Sequence, residues 1–218
     1  MRFILKTGRE QEMDKAPQFG FVDGVFLPRA EAERTGRHYD NLIRSSLKHP
    51  YSMIGIELKA LSSHQLATEL SPYQQMDPAR IIAFVPMTIA SLQLAGTRPA
   101  AVRIGVQHAV TLLQSLASAR AGAHILFFNA SHFHAMSIDL AELIVSVRQH
   151  LRQEDGHCEV WVDDAPTVAE ANRIAALGVD ALVMTWNMLR EVVYHPLTDR
   201  AIVRALTPWV HPGAKETK

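Results

Sequence analysis

The sequence has little of several things, and each shortage excludes something. It has one cysteine, Cys158, among 218 residues. No internal disulfide can form, and nothing in the chain calls for an oxidising compartment. It has no excess of either charge: 22 Lys and Arg balance 22 Asp and Glu. A neutral chain lacks the overall basic field that holds phosphate backbones, so no nucleic acid is expected as partner. It has no long apolar run. The uncharged stretch 121–138 contains three His, one Asn and two Ser, whereas crossing a bilayer takes roughly 20 mainly apolar residues. The opening Met1-Arg2-Phe3-Ile4-Leu5-Lys6 is too short for a signal-peptide core before charges intervene. The expectation is a cytoplasmic protein that meets no membrane. Glycine-rich phosphate-binding turns are also missing, because the first strand runs into Lys6-Thr7-Gly8-Arg9 without a G-x-G-x-x-G or a P-loop.

What is present is an alternation. Short apolar runs at 2–6, 21–27, 51–58, 81–85, 101–107, 124–129, 159–163 and 180–185 read as strands. Several are apolar throughout, as expected of parallel strands covered on both faces. Helical patterns separate them: Tyr39, Leu42, Ile43 and Leu47 share a face, as do Leu140, Leu143, Ile144, Val147 and Leu151. Pro166 suits the first turn of a helix that ends at Gly178. A last helix follows Asp199 and ends near Pro208. Eight strands alternating with helices predict an α/β protein with a (β/α)8 TIM barrel. The chain is short for that fold, whose usual length is about 250 residues. An open doubly wound sheet is the rival, and the missing glycine-rich first turn weighs against it. One domain over 1–210 is expected, with a flexible polar tail over 211–218.

Ordered motifs run along almost the whole chain. Phe21-Val22-Asp23-Gly24-Val25 leads to Pro28; Glu57 closes the third strand; Pro86-Met87-Thr88 follows the fourth; Ala121-Gly122-Ala123 precedes the sixth and Gly178-Val179-Asp180 the eighth; His195-Pro196-Leu197-Thr198-Asp199 comes near the end. In this order they resemble the small transaldolase and fructose-6-phosphate aldolase family. The resemblance implies a class I aldolase barrel, in which a strand-four lysine forms a Schiff base with a ketose or ketone. The imine acts as electron sink, so no metal or other cofactor is needed. It also implies a homo-oligomer, a pentamer or decamer, with the C-terminal helix packed on a neighbour, and a small carbonyl or sugar ligand in carbohydrate metabolism.

Against that pattern the site positions have changed. Phe84 stands in the lysine position, and a phenyl ring cannot form an imine. The family's strand-one aspartate aligns with Lys6 and its strand-two asparagine with Leu27. On strand five its asparagine becomes Gly105 and its threonine Gln107. On strand six its aromatic residue becomes Asn129 and its phosphate-binding arginine His132. The phosphate-binding serine after strand seven becomes Asp164, beside Asp163. A carboxylate there repels a phosphate, at about 4 kcal/mol for two charges 4 Å apart at an effective dielectric of about 20. Standard aldol transfer is therefore expected to be lost or altered.

Alternation puts Ile4 and Lys6 on one strand face, and Glu57 is expected at the same barrel mouth. One reading makes Lys6 a relocated Schiff-base lysine, with Glu57 moving protons. The other is a Lys6–Glu57 ion pair filling the altered site. Leu27, Phe84 and Phe127 at inward positions either shape an apolar pocket or plug a disused one. Gln107 hydrogen-bonds a ligand or Glu57. His132 and His134, with Asp163 or Asp164, form an H-x-H pattern that is weak as a metal signal, so no metal is assigned. His108 reads as a surface or packing histidine, Met136, Met184 and Met188 as core fillers, and Cys158 as a structural thiol.

Overall fold

The computed structural model describes residues 1–34, 36, 38–97, 102–153 and 158–210, with side chains to 206. The expected tail over 211–218 lies outside the described residues.

Eight parallel strands close a barrel in sequence order, β1 (Arg2–Lys6), β2 (Gly24–Leu27), β3 (Met53–Glu57), β4 (Ile81–Pro86), β5 (Arg103–Gln107), β6 (Ile125–Asn129), β7 (Glu159–Asp163) and β8 (Ala181–Thr185), with β1 hydrogen-bonded to β8. The helices are α1 (Glu10–Lys15), α2 (Arg29–Arg34), α3 (Tyr39–Ser46), α4 (Ser63–Met76), α5 (Ile89–Gly96), α6 (Leu112–Arg120), α7 (Ala130–Ala135), α8 (Leu140–Gln153), α9 (Val168–Ala176), α10 (Trp186–Val193) and α11 (Pro196–Val210). This is the (β/α)8 barrel that the alternation predicts.

Side-chain caps mark where helices leave the C-terminal rim. Ser62, Thr88, Thr111, Asn129, Thr167 and Thr185 each accept a main-chain N–H from the first turn of α4, α5, α6, α7, α9 and α10. Each such cap contributes about 1 kcal/mol and fixes how a helix leaves the C-terminal rim. Thr167, and not Pro166, therefore starts α9. The last helix begins at Pro196 and continues through Pro208 to Val210, further in both directions than its sequence signals suggest.

Strand parity divides the apolar residues into two cores. Leu5, Val25, Leu27, Ile54, Ile56, Ala83 and Val85 face the helices. Ile4, Phe26, Met53, Ile82, Phe84, Ile125, Phe127, Trp161, Ala181 and Val183 fill the barrel. Inward residues of alternate strands stack in layers, as the fold requires. At the N-terminal end Glu159 takes Arg2 at 2.6 Å, Arg103 at 3.5 Å and the Trp161 Nε1–H at 2.8 Å. Above them come the aromatic rings. Phe84, with no exposed surface, packs against Phe26 and Phe127 with ring centroids 5.2 and 4.9 Å away, and against Trp161 at 5.7 Å.

Two inward glycines make room for that ring. A Cβ on Gly55 would stand 2.8 Å from both Phe26 and Phe84, and one on Gly105 would drive into the Phe84 ring itself. Phe84 on β4 and Gly105 on β5, two separate departures in the sequence, are one packing arrangement.

The C-terminal segment behaves differently. From Glu191 to Leu206 every described side chain is exposed, including Val193, Tyr194, Leu197, Ile202 and Leu206. Among the described residues no helix is long and apolar enough to cross a membrane.

Candidate functional site

The top layer of the barrel is polar. Lys6, Glu57, Gln107 and Asp163 end β1, β3, β5 and β7, so the same parity turns all four inward, one layer above Phe26, Phe84, Phe127 and Val183. They line a cavity of about 150 Å³ at the C-terminal mouth, together with Phe26, Phe127, Asn129, His108 and His132.

The partner of Lys6 is Asp163, not Glu57 as its sequence position suggests. Lys6 Nζ donates to Asp163 Oδ2 at 2.6 Å and lies 3.9 Å from Asp164 Oδ1. The reason is closure of the barrel: β7 is as close to β1 through β8 as β3 is through β2, and its aspartate reaches the ammonium. Glu57 is held elsewhere. Its Oε2 accepts the Arg29 main-chain N–H at 2.8 Å, and its Oε1 takes a long 3.4 Å contact from Gln107 Nε2. Tyr39 steadies the strand end, its hydroxyl accepting from the Glu57 N–H and donating to the Leu27 carbonyl, both at 2.7 Å.

The charges respond to their surroundings. Burial would lower Lys6, but Asp163, by charge and hydrogen bond and with Asp164 and Glu57 behind it, raises the ammonium above the usual lysine range. Asp163 is 3% exposed, and burial pushes its carboxyl up to about 6 despite the opposing pull of Lys6. Above that value the two are an ion pair. Only one carboxylate oxygen is used well: Oδ2 takes Lys6 and a 3.5 Å contact from Asn129 Nδ2, while the buried Oδ1 has no hydrogen-bond partner of good geometry among the described residues.

The remaining candidates sort by position. Leu27 does not face the mouth; it is buried in the outer core, and Phe26 takes the inward place. The shift arises because β2 ends at Leu27, so parity counted from Gly24 puts Phe26 inside. Phe84 lies under the cavity floor and is not part of its wall. Gly105 supplies the space beneath. Asn129 both caps α7, accepting from the His132 N–H at 2.9 Å, and lines the mouth. Asp164 sits beside the mouth at φ 61°, with its carbonyl accepting from the Ser131 hydroxyl. His132 and His134 lie in α7, where residues two apart point to nearly opposite sides, so the H-x-H pair does not converge. Among the described residues no group of three His, Cys, Asp or Glu is placed to hold a metal ion.

Two residues stand nearer the mouth than their sequence positions suggest. Asp163 is buried there beside Lys6, on the inward parity it shares with Trp161. His108 stands at the rim with φ 65°, its ring stacked on His132 with centroids 6.0 Å apart. Partial desolvation and His132 hold it below the usual imidazole range, against Glu57.

An amine, three carboxylates and two amides thus gather around the C-terminal mouth of a closed (β/α)8 barrel, the face at which this fold carries its active sites. No family model matches the chain. It is similar over nearly its whole length to proteins named probable transaldolase: 22% identical to that of Anaeromyxobacter dehalogenans (strain 2CP-C) over 210 residues, 96% of both chains. That of Kosmotoga olearia is 25% identical over 213 residues, 96% of both, and that of Chelativorans sp. (strain BNC1) 24% over 216 residues, 99% of both. The chain is transaldolase-like in sequence, and it folds as a closed (β/α)8 barrel.

Proposed function

We propose that this protein is a transaldolase-like barrel in which Schiff-base aldol transfer is lost and the mouth is kept as a binding site for a small organic ligand. The observation that carries the reading is the packing of Phe84. Its ring is wholly buried in space left by Gly55 and Gly105, so the strand-four position that the resemblance gives to a lysine offers neither an amine nor room for a substrate carbonyl. The relocated-lysine reading is less favoured, because Lys6 is held protonated by Asp163 and an ammonium has no lone pair to attack a carbonyl. A phosphate group is disfavoured by Asp163 and Asp164 beside the one ammonium.

Incubation with small ketones, aldehydes and a sugar phosphate in the presence of borohydride, followed by peptide mapping, tests this. No lysine adduct is expected. An adduct at Lys6 would establish the relocated-lysine reading instead, and turnover of a sugar phosphate at an ordinary enzymatic rate would overturn the loss of activity.

The proposal includes a homo-oligomer, with α11 against a neighbouring copy. A fifteen-residue helix that leaves Leu197, Ile202 and Leu206 exposed is the supporting observation. Light scattering is expected to report a multiple of the 24.3 kDa chain, and a monomer alone would remove this part. It also includes a cytoplasmic location, in keeping with a lone thiol at Cys158 whose pKa burial pushes up to about 12.

A further inference from the structure

The mouth does not end at the polar layer. A second cavity, of about 350 Å³, shares His108, Phe127, Asn129 and His132 with it and is otherwise apolar, walled by Val110, Phe128, Phe133 and Met136 among others. The two adjoining spaces differ in chemistry: a small one with buried charge and a larger one of hydrocarbon and rings. A ligand that fits both has a compact polar head and an apolar body of roughly aryl size.

The charge of the head follows from what the mouth leaves unsatisfied. Three carboxylates, Glu57, Asp163 and Asp164, gather around one ammonium, Lys6. Arg29 does not redress this, because its guanidinium is turned to Glu69 and to the Glu57 carbonyl. Asp163 lines the cavity, and its buried Oδ1 has no hydrogen-bond partner of good geometry among the described residues. A buried carboxylate oxygen without a donor is costly, and a charged donor satisfies it best. Phe127, common to both cavities, adds an aromatic ring to which a cation is attracted.

We propose that the mouth binds a small primary amine bearing an aryl or similar apolar group, with the ammonium donating to the Asp163 carboxylate and the body lying in the adjoining cavity. This rests on the reading that the mouth is a noncovalent site, and it names the ligand class of that site.

Calorimetric titration of the full chain with 2-phenylethylamine, ethylamine, 2-phenylethanol and phenyl phosphate tests it. The aryl amine is expected to bind most tightly. Loss of the charged donor in the alcohol should weaken binding about tenfold or more, and loss of the ring in ethylamine by a similar factor. Phenyl phosphate should not bind. Asp163→Asn should abolish the preference for amine over alcohol. Because that variant disturbs Lys6, a second is informative: Ala135→Trp fills the apolar cavity from its exposed rim. It should reduce the aryl amine to the level of ethylamine while leaving ethylamine unchanged. Phenyl phosphate binding as tightly as the amine, no heat with the amine at millimolar concentration, or an unaffected aryl amine in Ala135→Trp would each overturn the proposal. Borohydride trapping separates the two readings. Failure of the amine with no lysine adduct defeats the ligand class alone, whereas an adduct defeats the noncovalent site whatever the amine does.

Discussion

At the N-terminal end of the barrel one carboxylate, Glu159, meets two guanidiniums and an indole N–H; at the C-terminal end one ammonium, Lys6, meets Asp163, with Asp164 and Glu57 close by. Both ends place charge at the same strand parity, above and below the same apolar filling. They differ in satisfaction. Glu159 has partners on both oxygens, and its layer closes the barrel. Asp163 has an oxygen with no hydrogen-bond partner of good geometry among the described residues, and the residue borders open volume. On the proposed reading, the layer whose groups answer one another is a lid on the core, while the layer beside the cavity is the place where a ligand binds. That difference agrees with the general role of the two faces of this fold.

The sharpest way to break the contrast is Lys6→Met. It leaves the Asp163 carboxylate buried without its cation, and chemical denaturation should show a loss of about 3 kcal/mol at neutral pH. Asp163 titrates near 6 in the folded chain, above its unfolded value of about 3.9, so the folded state holds that proton more tightly. Stability from this group therefore increases as pH falls through 6 towards 4, and decreases as pH rises. Lys6→Met should enlarge the trend, since the carboxyl is pushed further up, and Lys6→Met with Asp163→Asn should recover most of the loss. A Lys6→Met variant as stable as the parent at every pH would contradict the buried ion pair.

Glu159→Gln at the other end should have a smaller effect. Arg2 and Arg103 are each about a third exposed, so water screens the charges left behind, and the glutamine can still accept from Trp161. A loss of about 1 kcal/mol is expected, with no added pH trend near neutrality and no change in amine binding at the far mouth. Altered ligand affinity in Glu159→Gln would mean that the two ends are coupled through the rings between them.

Much of this was legible in the residues themselves. The eight strands announced themselves as continuous apolar runs, because both faces of each are buried, and their number with the intervening helices specified the barrel. Parity, with the family resemblance to say which face is inward, brought Lys6, Glu57 and Gln107 to the mouth. It could not choose the partner of Lys6, because β3 and β7 are symmetric neighbours of β1 once the sheet closes, and closure is a property of the whole chain. Nor could it tell Leu27 from Phe26, both apolar at the end of a short strand before Pro28. The helix α7 was announced by Asn129, a strong capping residue, yet the H-x-H pattern invited an extended reading. His108 and Asp164 owe their places to left-handed backbone, which no residue type there advertises.

The fit of Phe84 between Gly55 and Gly105 has a consequence for the history of the barrel. On the proposed reading, a lone codon change from phenylalanine to lysine would gain no catalyst. It would remove a ring from three aromatic neighbours, open a void above two glycines and strand a cation among hydrocarbon. On that reading a return to imine chemistry needs changes around the ring as well as at it. The packing would then work as a ratchet, holding the lineage to whatever task the mouth has taken up.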